Sequence, residues 1–153
     1  MILPILKHPD KRLYNVAIPV EEYEFDSDMG LYLTVQNMFE TMKANKGIGL
    51  AGTQVDIHKQ IMVMNISEPI CLINPTIISS EGTIKFTEGC LSFPKIHIET
   101  LRANIIDVSY RDVCGNNIQR SFSGIEAVCV QHECEHLSGK TFIQTSKKLT
   151  KAA

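Results

Sequence analysis

The sequence predicts an α+β fold in which antiparallel sheets pack around a central helix. Two segments show helical periodicity, one in the first third of the chain and one near its end. Between them lie short apolar runs separated by turn-forming residues, a pattern typical of strands joined by tight turns. Strands that surround one helix are the arrangement of an α+β domain.

The first predicted helix begins at a cap, Ser27-Asp28, and runs to about Lys43. Helical spacing predicts that its apolar residues form one buried stripe. These residues are Leu31, Val35, Met38 and Met42. The turn-forming residues 45–47 then end the helix, and the glycines of the next stretch make it locally permissive.

Short strands are predicted over the middle of the chain. They cover residues 61–66, 70–73, 75–80, 83–87, 104–110 and 118–122. Ser67-Glu68-Pro69 predicts a hairpin between the first two, Glu81-Gly82 a further turn, and residues 114–117 a turn before the last strand.

The last helix has the clearest boundary signals. Residues 123–126 have the spacing of a capping box between Ser123 and Glu126, and Gly139 follows the final turn. One face is apolar except for two histidines. Its members are Ile125, Val128, Cys129, His132 and His136. The imidazoles are therefore predicted to point inward, where metal ligation would satisfy them.

The stretch from His132 to His136 is the most informative in the chain. Histidines four residues apart lie on one helix face, so both rings can reach one metal ion, and Glu133 is placed to move protons at a metal-bound water. A hydrolytic site needs a third protein ligand. No acidic residue follows Glu135, and Phe142 stands where a third histidine would follow the motif. The third ligand is expected upstream, as a cysteine, a histidine or a carboxylate.

Composition and charge limit the functions that the chain can have. The chain has 153 residues, 44% of them hydrophobic, and a net charge of −2. We expect residues 1–153 to form one domain, with neither DNA nor a membrane as partner. Five cysteines without a Cys-x-x-Cys pair indicate free thiols in a cytoplasm. The apolar start is too short for a signal peptide and is interrupted by Pro4.

Three motifs resemble, in order and spacing, those of the peptide deformylases. They are residues 47–54 (GIGLAGTQ), 88–92 (EGCLS) and 131–137 (QHECEHL). The resemblance covers nearly the whole chain, and the second motif with Phe93-Pro94 looks most like cyanobacterial and plastid variants. It implies a metal-dependent hydrolase that removes the formyl group from N-formylmethionyl nascent chains and releases formate.

The resemblance also implies the residues of the site. Cys90 would be the third ligand beside His132 and His136, a set suited to one divalent ion. Family members commonly use Fe(II), which is the expected native ion, with Zn(II), Ni(II) and Co(II) as alternatives. Glu133 would carry the proton, while the Gln54 side-chain amide and the Leu91 backbone N–H would stabilise the oxyanion.

A substrate cleft and an apolar pocket for the methionine side chain are implied as well. Their expected residues are Ile48, Gly49, Phe86, Glu88, Gly89, Ile125, Val128, Cys129 and His132. The partners would be nascent chains, with at most a transient contact with the ribosome. General metallopeptidase activity and metal storage without turnover are the alternatives. The first is disfavoured by the missing downstream ligand and the second by the presence of Glu133 and Gln54.

The chain departs from the family pattern in four places. Gly52 replaces an alanine, which predicts slightly more freedom in that loop, and His97 replaces a common arginine. Glu135 replaces an aspartate and is expected to pair with Arg102 in a structural role. The chain ends soon after Phe142, so ribosome docking through a long C-terminal helix is in question, as is a role for the basic end. That end contains Lys140, Lys147, Lys148 and Lys151. Such a compact form would fit a phage-borne protein acting in the host cytoplasm.

Overall fold

The structure, a computed structural model, describes residues 1–26 and 29–145. Both predicted long helices are present, as α2 (Gly30–Ala44) and α3 (Gly124–Leu137). Shorter helical segments are η1 (Lys11–Tyr14), α1 (Glu22–Phe25) and η2 (Gly52–Val55), and residues 142–145 are also helical. Among the described residues no helix is both long and apolar enough to cross a membrane.

Within residues 1–26 and 29–145, seven strands form two antiparallel sheets. They are β1 (Gly49–Ala51), β2 (Ile61–Asn65), β3 (Pro69–Glu81), β4 (Ile84–Cys90), β5 (Phe93–Arg102), β6 (Ile105–Arg111) and β7 (Asn117–Ser123). The larger sheet has the order β1-β2-β3-β6-β7, and β4 with β5 forms a separate two-stranded sheet. The α+β prediction is therefore confirmed, with α3 as the helix that carries both histidines.

The larger sheet is buried on both faces at β2. Met62 and Met64 belong to the apolar cluster that includes Ala127 and Val130 of α3. Ile61 and Val63 alternate with them and join the cluster formed with α2. Side chains alternate between the two faces of a strand, so one strand anchors both helices. Burial of each such side chain contributes about 1.5–3 kcal/mol.

The predicted stripe of α2 does lie in the core. Val35, Met38 and Met42 are at most 2% exposed, and Leu31 packs against them as a partly buried residue. The predicted cap at Ser27-Asp28 lies outside the described residues. The helix follows Met29, which has a left-handed backbone with φ 57° and makes no side-chain cap.

The capping box predicted for α3 is wrong. Ser123 occupies the N-cap position but makes no side-chain cap hydrogen bond. The Glu126 carboxylate instead accepts a hydrogen bond from the Ser67 hydroxyl at 3.0 Å. The other end is as predicted, because Gly139 has φ +76° just after the last turn.

The strand predictions need three corrections. Residues 70–73 and 75–80 belong to one long strand, β3, whose register shifts beside Asn74, a residue with φ 51°. The strands β1 and β5 were not among those predicted. The first has only three residues, and the pairing of the second shifts between Gly89 and Cys90. A shift of this kind interrupts the alternation on which strand prediction depends.

Candidate metal centre

A thiol and two imidazoles meet where the small sheet reaches α3. Cys90 is the last residue of β4, while His132 and His136 are one helical turn apart on α3. One ligand atom from each of the three lies within 4.8 Å of those of the other two. In the part of the chain that the structure describes, these three residues form the one group of His, Cys and acidic side chains arranged to hold a metal ion.

The two histidines are held differently: the His132 ring has a second contact, whereas the Nδ1 of His136 has no hydrogen-bond partner among the described residues. The Nδ1 of His132 lies 2.8 Å from the Glu88 carboxylate, which leaves Nε2 as the lone-pair nitrogen. The Nε2 of His136 lies 3.3 Å from the Cys90 sulfur. The His136 backbone carbonyl accepts a hydrogen bond from the Thr53 hydroxyl at 3.2 Å. The rings therefore present one nitrogen each towards the thiol.

The charges around Cys90, His132 and His136 favour the binding of a cation. Burial opposes the charged form of His132, yet the nearby Glu133 and Cys90 raise the pKa of this imidazole well above its usual value. Burial and His132 together lower the pKa of His136. The site thus combines a neutral imidazole with an excess of negative charge, which a divalent ion bound by a thiolate and two imidazoles would neutralise.

Glu88 is the centre of a buried polar network behind the histidines. It is 4% exposed and accepts hydrogen bonds from the Thr100 hydroxyl and from Arg102, whose Nη2 lies 2.9 Å from Oε1. The Arg102 Nη2 also donates to Glu135 at 2.7 Å, which confirms the expected pair. Burial would raise the pKa of Glu88, but hydrogen bonds from His132 and Arg102 lower it to about 2.

Glu133 has the opposite environment. It is 4% exposed, and its Oε1 has no hydrogen-bond partner among the described residues. Burial raises the pKa of this carboxyl to about 7, against the opposing effect of His132. A carboxyl that titrates near neutrality beside an open cavity is suited to accept and return a proton.

Two hydrogen bonds hold the Gln54 side chain so that its amide nitrogen faces the cluster of Cys90, His132 and His136. Its Oε1 accepts from the Ala51 backbone N–H at 2.9 Å, and its Nε2 donates to the Ser92 hydroxyl at 3.2 Å. The same Nε2 lies 3.6 Å from the Cys90 sulfur. A buried amide with its oxygen already bonded is a preorganised donor.

A cavity of about 550 Å³ opens beside the cluster. All of the predicted cleft and pocket residues line it. These are Ile48, Gly49, Phe86, Glu88, Gly89, Ile125, Val128, Cys129 and His132. Gln54, Cys90, Leu91 and Glu133 line it too, as does His97, while His136 lies behind at 0% exposure. The structure therefore brings the whole predicted set together.

Two of the glycines in the first motif, Gly49 and Gly52, are closely surrounded by other atoms. A Cβ on Gly49 would lie 2.6 Å from both the Cys129 sulfur and the Glu133 Oε2, so this position keeps space for the carboxylate. The freedom expected at Gly52 is not found. Gly52 is buried, and a Cβ there would lie 2.6 Å from the Ile57 carbonyl oxygen.

Sequence reasoning missed several residues that support the site. The Phe142 ring packs on His132 with centroids 5.4 Å apart and on Phe93 at 5.3 Å. Thr100 and Ser92, both 0% exposed, hold Glu88 and Gln54 respectively. The local sequence marks Phe142 only as the place where a third histidine is absent, and it contains no pattern that predicts the contacts of the Thr100 and Ser92 hydroxyls.

Comparison with known proteins gives a consistent result. The family model described as polypeptide deformylase matches residues 2–152. A peptide deformylase of Xylella fastidiosa (strain M12) is 46% identical over 146 residues, which cover 93% of this chain and 85% of that protein.

Solved structures that resemble this chain in fold are also peptide deformylases. The Met-Ala-Ser-bound crystal structure of a class I type b peptide deformylase from Acinetobacter baumannii has a TM-score of 0.91 at 29% identity, covering 95% of this chain and 98% of that one. The peptide deformylase structure from Thermotoga maritima has a TM-score of 0.89 at 35% identity, with 95% and 97% covered.

Proposed function

The chain belongs to the polypeptide deformylase family, and on that premise we propose which of its residues perform the reaction. The protein is a metal-dependent hydrolase that removes the formyl group from the N-terminus of nascent polypeptides. The observation that carries the assignment of roles is the buried, partly unpartnered Glu133 carboxylate, which lines the same cavity as Cys90 and His132.

Cys90, His132 and His136 hold one divalent ion in this proposal. The support is their mutual distance, within 4.8 Å, and the Glu88 contact that orients His132. When bound, such an ion supplies Lewis-acid chemistry, lowering the pKa of water and polarising a carbonyl group. Fe(II) is the proposed native ion, with Zn(II), Ni(II) and Co(II) as substitutes, because a thiolate and two imidazoles accept all four.

Glu133 moves the proton. It takes a proton from the attacking water and gives it to the amine that leaves when the formyl C–N bond breaks. The products are formate and a peptide with a free N-terminus. A pKa of about 7, raised by burial, suits both halves of this task.

Gln54 and Leu91 stabilise the charge that develops on the formyl oxygen. The Nε2 of Gln54 is aimed at the cluster by the Ala51 and Ser92 contacts. The Leu91 backbone N–H, next to Cys90, is the second proposed donor. Removal of one such donor typically lowers kcat by about 10²–10³-fold.

The substrate lies along the cavity with its methionine in an apolar pocket. Ile48, Val128 and Cys129 supply apolar surface, and Gly49 and Gly89 allow close approach of the peptide backbone. Residues 1–153 act as one catalytic domain in the cytoplasm. Nascent chains are its partners, with a transient ribosome contact at most.

The direct test is formate release from a formylated peptide. The metal-loaded protein, prepared anaerobically, should release formate from formyl-Met-Ala-Ser and leave Met-Ala-Ser intact. Cleavage inside either peptide without formate would instead identify a general peptidase. Metal content without any turnover would identify a storage module.

A second test addresses the ion. Cys90→Ala should lower bound metal, measured by elemental analysis, whereas Cys114→Ala should leave it unchanged because Cys114 is exposed and does not belong to the cluster. Unchanged occupancy in Cys90→Ala would show that the ligand set is wrong.

A further inference from the structure

The mouth of the cavity is lined by unpaired cations. Lys7, Lys46 and Lys95 all line it and are exposed, while the two acidic residues that line it, Glu88 and Glu133, are buried. None of these three lysines makes an ion pair within the described residues. Among the described residues, six of the nine other lysines and arginines do form ion pairs, whereas Lys11, Lys43 and Lys140 do not. The paired ones are Arg12, Lys59, Lys85, Arg102, Arg111 and Arg120.

The three lysines reach the mouth from separate parts of the chain. Lys7 lies in the N-terminal segment, which is held to the site where the Leu6 N–H donates to the Gln54 carbonyl at 2.7 Å and the His8 N–H to the Ser92 carbonyl at 3.0 Å. Lys46 follows α2, and Lys95 lies in β5 between Phe93 and His97, where the pairing with β4 shifts its register. A chain with net charge −2 thus concentrates positive charge at its active-site opening.

Two of these lysines have a backbone conformation that L residues rarely adopt. Lys46 has φ 58° and Lys95 has φ 65°, so they are two of the five non-glycine residues with positive φ in the part of the chain that the structure describes. Lys46 closes α2, where the Gly47 N–H donates to the Met42 carbonyl at 2.9 Å. Glycine or asparagine would adopt this conformation with less strain. A lysine at both positions indicates a use for the charge.

We propose that Lys7, Lys46 and Lys95 select substrates that carry a carboxylate within the first three residues after the formyl-methionine. This inference depends on the proposed function, because the methionine must occupy the inner pocket for the following residues to pass the lysines. The inner cavity supplies no free cation for such a carboxylate, since Arg102 is already bound to Glu88 and Glu135. The ligand class is therefore an acidic formyl-peptide.

The expected size of the effect is modest. Exposed ion pairs are weak and screened by salt, with a Debye length of about 8 Å at physiological ionic strength and about 3 Å at 1 M. Two or three lysines acting on one carboxylate should therefore raise kcat/KM about three- to tenfold at low salt, and the gain should largely disappear near 1 M salt.

The experiment compares three amidated peptides, formyl-Met-Ala-Glu-NH2, formyl-Met-Ala-Gln-NH2 and formyl-Met-Ala-Lys-NH2. The wild-type order of kcat/KM should be Glu, then Gln, then Lys. A further peptide, formyl-Met-Ala-Gln with a free C-terminus, carries a terminal carboxylate but none on its side chains. Its kcat/KM, compared with that of the amidated Glu peptide, separates the effect of a terminal carboxylate from that of a side-chain carboxylate. Lys95→Glu should reduce or reverse the Glu-over-Lys ratio. Lys11→Glu changes the net charge equally but lies away from the cavity, and it should keep the ratio.

Two outcomes would overturn the proposal. One is equal kcat/KM for the three peptides at low salt, and the other is an equal loss of preference in Lys95→Glu and Lys11→Glu. If no peptide releases formate, the proposed function fails instead. Dissociation constants of the same peptides, measured by calorimetry, then decide the lysine proposal, because the ranking of affinities does not require turnover.

Discussion

Glu133 illustrates how a buried position prepares a side chain for chemistry. Its carboxylate lies close to Gly49 with one oxygen unpartnered among the described residues, and its pKa is raised to about 7 by burial. A structural carboxylate at the same depth has hydrogen bonds instead, as Glu88 does. The contrast distinguishes the proposed proton carrier, Glu133, from Glu88, a carboxylate that holds His132 in position.

Glu133→Gln should therefore remove the reaction and keep the ion. The amide fills the same volume but cannot accept the proton, so kcat should fall by about 10²–10⁴-fold. Formate release and metal content are measured on the same sample. Glu126→Gln, on the same helix and bonded only to Ser67 among the described contacts, is the control. Loss of metal in Glu133→Gln would mean that the carboxylate supports binding, not catalysis.

Gly49→Ala should impair catalysis by displacing that carboxylate. The added methyl group would lie 2.6 Å from the Glu133 Oε2, so the side chain must move. A misplacement of about 1 Å typically lowers the rate about a hundredfold. Steady-state kinetics with formyl-Met-Ala-Ser measure it, and a variant with wild-type kcat/KM would show that the space at Gly49 is not needed.

Residue-level prediction succeeded where a motif fixed the spacing. The helix period places His132 beside His136 without any further information. It failed for Thr100 and Ser92, because a hydroxyl that bonds to Glu88 or Gln54 looks like any other strand or turn residue. Such pairings arise from tertiary contacts between segments far apart in the chain.

At the scale of elements, Arg102 joins the small sheet to the last helix. It ends β5 and bonds both to Glu88 of β4 and to Glu135 of α3. The side chain of Arg102 is 4% exposed, so solvent does not compensate for its loss. The position of Cys90 relative to the histidines therefore depends on a buried ion-pair network.

Arg102→Ala should destabilise the fold by about 3–5 kcal/mol, since it leaves buried carboxylates without their partner. Urea unfolding monitored by circular dichroism measures the change. Lys85→Ala, on the same hairpin, should change stability by less than about 1 kcal/mol because its pair with Glu99 is exposed. Equal losses in the two variants would contradict a structural role for the network.

Element prediction was limited by irregular strands. β6 and β7 alternate regularly and were predicted nearly to their ends. β5 contains Pro94 and the left-handed Lys95, so its pattern does not repeat every two residues. β1 is too short to show any period.

At the scale of the whole molecule, acid stability should depend on Glu88. Its pKa is about 2 in the folded state against an ordinary value of 4.5, so its stabilising contribution is complete above pH 4.5. That contribution disappears as the pH falls from 4.5 towards 2. The difference in unfolding free energy between wild type and Glu88→Gln should narrow over this range.

Chemical unfolding at several pH values measures that difference. Glu68→Gln serves as the control, because Glu68 pairs with Arg120 at an exposed position and should show no comparable change. A wild-type to Glu88→Gln difference that stays constant down to pH 2 would contradict the assigned environment of Glu88.

The overall architecture was predictable because two amphipathic helices and a set of short strands allow few packings. The division of the strands into two sheets could not be predicted from the sequence. It depends on β3 pairing with β6 rather than with β4, its neighbour in sequence. Nothing in the local pattern of residues 69–90 determines that choice.

Because the small sheet is separate from the larger one, the cluster of Cys90, His132 and His136 links two distinct parts of the fold. Cys90 belongs to the small sheet and the histidines to α3, with all of β5, β6 and β7 between them in the chain. An ion held by all three would act as a cross-link that closes a long loop. Its capture would then tie the hairpin to the rest of the molecule, so that occupancy and rigidity of the entrance change together.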